Sequence, residues 1–198
     1  MDATDTARNL FLESAEVKQR CADELPAAVA ATARRLSTCL LAGGKILACG
    51  NGGSAADAQH FVGELVNRFE IERPPLPAVA LGANAVTTTA TANDASFLEL
   101  YAKEVQALGG PSDVLVAIST SGQSDNILKA AAAARERDMD LVILTGGSGG
   151  ELAALAQPEK DHVLTVPAEV TARIQEAHIL ILHTLCKLLD EELFGGAG

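Results

Sequence analysis

Aromatic side chains are scarce: 198 residues include no Trp, a single Tyr at Tyr101 and five Phe. Stacking platforms for single-stranded nucleic acid need such rings in series, which excludes that class of partner. Cations are also in the minority, 15 Lys and Arg against 26 Asp and Glu, and a formal charge of -11 opposes any broad phosphate-binding face. No stretch of 18 apolar residues occurs, and the opening MDATDTARNL is polar where a secretory signal begins basic and turns apolar. Neither a membrane span nor export is expected, and the cytosol is the expected compartment. The cysteines Cys21, Cys39, Cys49 and Cys186 form no C-x-x-C pair and sit among apolar neighbours, so reduced, buried thiols are expected.

What the chain does have is apolar bulk. Hydrophobic residues make up 48% and charged ones 21%, enough for one well-buried domain and too little for two. The expected unit covers 1–198, with N-terminal helices in 1–42 and an α/β core in 43–198. From Asp5 to Ala42 apolar residues recur at helical spacing, with a break near Glu24-Leu25-Pro26, where proline suits the first turn of a second helix. Five short apolar runs follow, Lys45–Cys49, Leu76–Leu81, Asp113–Ile118, Leu141–Thr145 and His162–Val166, each reading as a fully buried strand. Helical stretches separate them: Ser54 to Arg68, Phe97 to Leu108, Ser124 to Arg137 and Thr171 to Leu193. That alternation predicts a doubly wound α/β fold with a parallel sheet covered on both faces. The last helix, from about Ala168 to Phe194, carries apolar residues around more than half its circumference. It needs cover on several sides, from the N-terminal helices and an oligomer interface.

Four features carry chemistry. Between the first strand run and its helix lies Gly50-Asn51-Gly52-Gly53-Ser54, a turn whose N–H groups and helix dipole can hold an anion, or which simply needs positive φ. It matches neither G-x-G-x-x-G nor the Walker A pattern. The segment Ser119-Thr120-Ser121-Gly122-Gln123-Ser124 also joins a strand to a helix, and its four hydroxyls suit a phosphate monoester; a plain N-cap would use only one of them. His60 and Glu64 are four apart on a predicted helix and share a face, as a metal-binding or acid-base pair would, or as an ordinary surface pair. Gln175, His178 and His183 punctuate an apolar helix, where a buried imidazole needs a partner. The Cα atoms of Gln175 and His183 lie about 12 Å apart on an ideal helix, a strain on any shared ion that an irregular first turn would ease.

These motifs resemble the sugar isomerase (SIS) family over nearly the whole chain. The specific matches are Cys49-Gly50-Asn51-Gly52-Gly53-Ser54, His60 with Glu64, Ala92-Asn93-Asp94, Ile118-Ser119-Thr120-Ser121-Gly122 with Ser124, Leu144-Thr145-Gly146 and Arg173-Ile174-Gln175-Glu176. The resemblance implies a flavodoxin-like five-stranded sheet, a homotetramer with active sites at subunit interfaces, and one zinc per subunit. It implies an aldose-ketose isomerase of the branch that converts sedoheptulose 7-phosphate to D-glycero-D-manno-heptose 7-phosphate, opening heptose synthesis for the lipopolysaccharide core. His60, Glu64, Gln175 and His183 would be the zinc ligands, and Glu64 and His183 the proton-transfer pair. Asn51, Gly52, Gly53, Glu64, Asn93, Asp94, Ser119, Thr120, Ser121, Ser124 and Gln175 would contact substrate. Ala172 stands where some members carry an aspartate. A sister group, the DnaA initiator-associating proteins, shares the scaffold and binds the replication initiator. Its members typically lack the glutamate and final histidine that this sequence has, which leaves the initiator as the alternative partner.

Overall fold

Asp2 opens the first helix by a reciprocal cap, its side chain accepting from the Asp5 N–H at 2.7 Å while the Asp5 carboxylate accepts from the Asp2 N–H at 3.4 Å. The computed structural model describes residues 2–195; the first residue and the last three of the expected domain lie outside them. Helix α1 (Ala3–Glu24) stops at Leu25, and Pro26 takes the first position of α2 (Pro26–Leu41), at the break that the sequence marks. Then come β1 (Ile46–Gly50), α3 (Gly53–Val66), β2 (Ala78–Ala80), α4 (Ala85–Asp94), α5 (Leu100–Leu108), β3 (Val114–Ile118), α6 (Asp125–Glu136), β4 (Asp140–Gly146), α7 (Gly150–Ala154), β5 (His162–Val166) and α8 (Thr171–Phe194).

The strands form one parallel sheet in the order β2-β1-β3-β4-β5. Alternate residues of the buried strands feed two cores. Ile46, Ala48, Val114 and Val116 pack with α2, α3 and α8, while Leu47, Cys49, Leu115 and Ala117 pack with α5 and α6. The chain leaves β1 toward β2 on one side and returns to β3 on the other. The topological switch point, where doubly wound sheets open a crevice at their strand carboxyl ends, therefore lies between β1 and β3. The glycine-rich and hydroxyl-rich loops flank it.

The structure departs from the sequence reading at the sheet edges, at three short elements and in how the last helix is covered. β2 is shorter than Leu76–Leu81 and only half-buried, because an edge strand is covered on one side alone, and β5 at the other edge is likewise partly exposed. Helix α4 has no counterpart in the sequence reading; Val86, Thr87, Thr88, Thr89 and Thr91 are poor helix formers, but Asn84 accepts from the N–H groups of Val86 and Thr87 and starts the helix. The short α7 was also unforeseen, and Phe97–Glu99 is a 3-10 turn leading into α5. The apolar surface of α8 is covered largely within the chain, by α1, α2, α3 and the sheet. All four cysteines are buried and free, and burial pushes the Cys49 thiol up to about 12. Among the described residues no helix is long and apolar enough to cross a membrane.

Candidate active site

The β1–α3 turn is built around two different demands for glycine. Gly52 adopts φ +54, a left-handed conformation, whereas at Gly53 a Cβ would run into the Gln175 side-chain amide. No side chain caps the start of α3; the Ser54 and Ala55 N–H groups turn back to the Asn51 and Gly52 carbonyls at 3.0 and 3.1 Å, so an anion at this helix start would be met chiefly by the N–H groups of Gly52 and Gly53. Asn51 and Asn126 exchange two amide hydrogen bonds of 2.8 Å each, tying this turn to the first turn of α6 across the switch point. The buried Tyr101 hydroxyl donates to the Gly50 carbonyl and fixes the turn from the other core.

In the second loop the hydroxyls do little capping. Ser124 occupies the N-cap position of α6 but makes no capping bond. Its Oγ lies 3.3 Å from Ser119 Oγ, which in turn accepts from the Gly122 N–H at 3.2 Å. Ser121 Oγ accepts from the Gln123 N–H at 3.2 Å. Gly122, at φ +64, lies so close to Gly149 that a Cβ would meet its carbonyl oxygen. Ser119, Thr120, Ser121 and Ser124 thus gather at a helix start that no side chain caps, a group called the hydroxyl cup below.

Further down α3 the third group assembles. His60 Nε2 and His183 Nε2 are 2.8 Å apart, a hydrogen bond in which one ring donates, and His60 Nε2 lies 3.3 Å from Glu64 Oε1. Phe69 stacks on the His183 ring with centroids 5.5 Å apart. Two imidazoles and a carboxylate converging at a partly exposed point are the donor chemistry of a three-ligand zinc site with an open position. Gln175 stands elsewhere, in the regular second turn of α8, where its side chain faces Gly53 and lies beside Asp57. The irregular first turn that would ease a shared ion is therefore not there. Among the described residues no cluster of three or more His, Cys, Asp and Glu side chains has the spacing of a formed metal cage; the His60 and His183 rings bond each other directly.

Asn93 and Asp94 close α4 on the surface, bonded to each other at 2.7 Å. Among the described residues no hydrogen bond or ion pair joins them to the two loops. His178 is structural: fully buried, it bonds the Thr145 carbonyl at 3.0 Å, and burial holds its pKa down to about 4. Sequence reasoning missed Asp57, whose burial raises its pKa against the opposing effects of the nearby Gln175 and His60, and whose Oδ2 has no partner. It also missed Asn126. Asp57 lies three residues before His60 in the same helix, and that spacing was the available signal.

A doubly wound domain with an anion-ready crevice and an imidazole-carboxylate cluster matches a known class. The SIS domain profile fits residues 11–146, and the chain belongs to the SIS-domain family. Its similarity runs further, to phosphoheptose isomerases. The chain is 54% identical to the phosphoheptose isomerase of Shewanella sp. strain ANA-3 over 94% of each protein, and 53% identical to that of Alkalilimnicola ehrlichii over the full length of both. The solved phosphoheptose isomerase of Francisella tularensis superposes with a TM-score of 0.93 at 45% identity, over 96% of this chain and all of that one. Within the SIS-domain family this chain falls in the phosphoheptose isomerase branch.

Proposed function

We propose that the protein interconverts sedoheptulose 7-phosphate and D-glycero-D-manno-heptose 7-phosphate. The observation that carries this reading is the meeting of Glu64 and His60 on α3 with His183 on α8, in a fold whose switch point presents an uncapped hydroxyl cup. The reaction moves a proton between C1 and C2 through an enediol. Glu64 removes the C1 proton and returns one to C2, while His183 carries a proton between the two oxygens. Ser119, Thr120, Ser121 and Ser124 hold the phosphate with the start of α6, and that remote binding orients the reacting end. Asn51, Gly52, Gly53, Asn93, Asp94 and Gln175 line the sugar.

The zinc site would comprise His60, Glu64 and His183; Gln175, proposed from the resemblance as a fourth ligand, faces Gly53 in this chain and would have to turn away from it to join them. A zinc ion bound there supplies Lewis-acid polarisation of the sugar oxygens. The working form is a cytoplasmic homotetramer that supplies heptose for the lipopolysaccharide core. A coupled assay on sedoheptulose 7-phosphate, run with and without a chelator, tests the reading: turnover is expected, with loss on chelation and recovery with added zinc. An inert wild-type protein on this substrate sinks the activity, and full activity after proven metal removal sinks the zinc.

A further inference from the structure

The segment between α3 and β2 is fastened to α8 through a buried arginine that no catalytic role accounts for. Arg73 donates from Nε to Asp190 Oδ1 at 2.6 Å, from Nη2 to the Glu64 carbonyl at 2.8 Å, and from Nη1 to the carbonyls of Leu65 at 2.9 Å and Pro74 at 3.1 Å. The side chains of Arg73 and Asp190 are 1% and 3% exposed. Helix α3 ends at Val66, so Glu64 and Leu65 belong to the last turn, whose carbonyls have no partner within the helix. A buried guanidinium donates to two of them, the Leu65 carbonyl also accepting from the Leu76 N–H at 3.0 Å, and neutralises the negative end of the dipole. The same segment touches α8 twice more, where Phe69 stacks on His183 and Glu70 accepts from Lys187 Nζ at 2.8 Å. His183, Lys187 and Asp190 lie on one face of α8, spaced by four and three residues.

We propose that Arg73, held by Asp190, is a positioning residue: it locks the end of α3 against α8 and thereby sets the approach of the Glu64 carboxylate to the His183 ring. The inference rests on reading Glu64 and His183 as the proton-transfer pair. Its physical basis is leverage. Glu64 is the residue whose own carbonyl Arg73 grips, so displacement of the guanidinium shifts the backbone that carries the base. A buried pair of this kind contributes little net stability over an apolar substitute, because desolvation offsets attraction, but breaking one partner leaves an uncompensated charge. Its value here is geometric.

Arg73→Lys in the full chain keeps the charge facing Asp190 and loses the fork that spans the Glu64 and Leu65 carbonyls. The expected result is a kcat lower by about 10-fold or more, with KM and the inhibition constant of inorganic phosphate within roughly two-fold of wild type. Arg135→Lys is the matched control, because Arg135 pairs with the buried Asp161 away from the Glu64–His183 cluster; it is expected to lower the melting temperature while leaving kcat unchanged. Asp190→Asn is the second variant, with a smaller effect in the same direction. A folded Arg73→Lys protein with wild-type kcat overturns the proposal, as does a parallel loss of kcat and phosphate affinity. Failure of both Arg73→Lys and Asp190→Asn to fold, while Arg135→Lys folds, makes the pair a folding determinant and also overturns it. A crystal structure of metal-free Arg73→Lys reads the geometry without turnover: the Nε2 atoms of His60 and His183 are expected to separate beyond 2.8 Å, and an unmoved Glu64–His183 arrangement is the contrary result. An inactive wild-type protein would count against the isomerase reading alone, since that crystallographic comparison would still decide the positioning claim.

Discussion

Glu64 and Gln differ by one oxygen, which makes Glu64→Gln the cleanest probe of the proton-transfer assignment. The side chain is partly exposed beside His60, so the neutral amide can occupy the same place without a buried charge being gained or lost. Removal of a positioned base is expected to lower kcat by roughly 10²-fold or more, with an unchanged melting temperature; retention of full activity removes Glu64 from the mechanism. His178 makes a different prediction at the same scale. Burial holds its folded pKa at about 4, below the ordinary value of 6.5, with the Thr145 carbonyl bond opposing the shift. The unfolded chain therefore binds the extra proton first. The stability tied to the neutral ring is complete above pH 6.5 and is lost as the pH falls toward 4, by roughly 3 kcal/mol at most. Denaturant melts from pH 7.5 to 4.5 should show this acid loss, and His178→Gln should flatten it; equal slopes in the two proteins would contradict the assignment.

At the scale of elements, the hydroxyl cup depends on the backbone turn beneath it more than on any single serine. Gly122→Ala puts a Cβ into the Gly149 carbonyl at a left-handed φ, and the left-handed conformation alone costs a residue with Cβ about 1–2 kcal/mol. The turn must shift, taking with it the N–H that Ser119 Oγ accepts from. Inorganic phosphate is expected to inhibit the wild-type enzyme competitively and Gly122→Ala at least about 10-fold less well, while unphosphorylated sedoheptulose is a very poor substrate for both. Equal phosphate inhibition would leave the cup as an ordinary turn. The cup and the strands around it were legible in the sequence because local rules produce them: a buried parallel strand must be apolar throughout, and a strand-to-helix turn collects glycine and hydroxyls. Helix α4 was not legible, because its Thr-rich sequence opposes helix formation and Asn84 alone marks its start. Asp57, Asn126 and Arg73 were hidden for another reason. Their partners, Gln175, Asn51 and Asp190, are distant in sequence, and only the crossing of β1 to β3 and the packing of α3 on α8 bring them together.

At the scale of the whole molecule, helix geometry predicts a site shared between copies. The hydroxyl cup adjoins the start of α3 through Asn51 and Asn126, yet from Gly53 to Glu64 the helix rises about 16 Å. A seven-carbon sugar phosphate spans about 9 Å from phosphorus to C1 if its bonds reach as far as those of an extended chain. The cup and the acid-base pair that serve one substrate are therefore expected to come from different copies. Surfaces for that contact exist: Phe11 on α1 is 79% exposed between Leu10 and Leu12, and Val86 on α4 is 76% exposed, apolar area that an assembly would bury. Light scattering at micromolar concentration is expected to give four times the 20.4 kDa chain mass, and a monomer would overturn the assembly. Because Glu64 and His183 lie beside the same His60 ring in one chain, variants at these two positions should not rescue each other. Glu64→Gln and Ser121→Asp, the latter repelling phosphate from an exposed lip of the cup, should do so. Random reassembly of two such inactive proteins leaves about a quarter of shared sites carrying neither defect. Recovery near that fraction is expected after subunit exchange; no recovery after proven exchange would place cup and acid-base pair in a single chain.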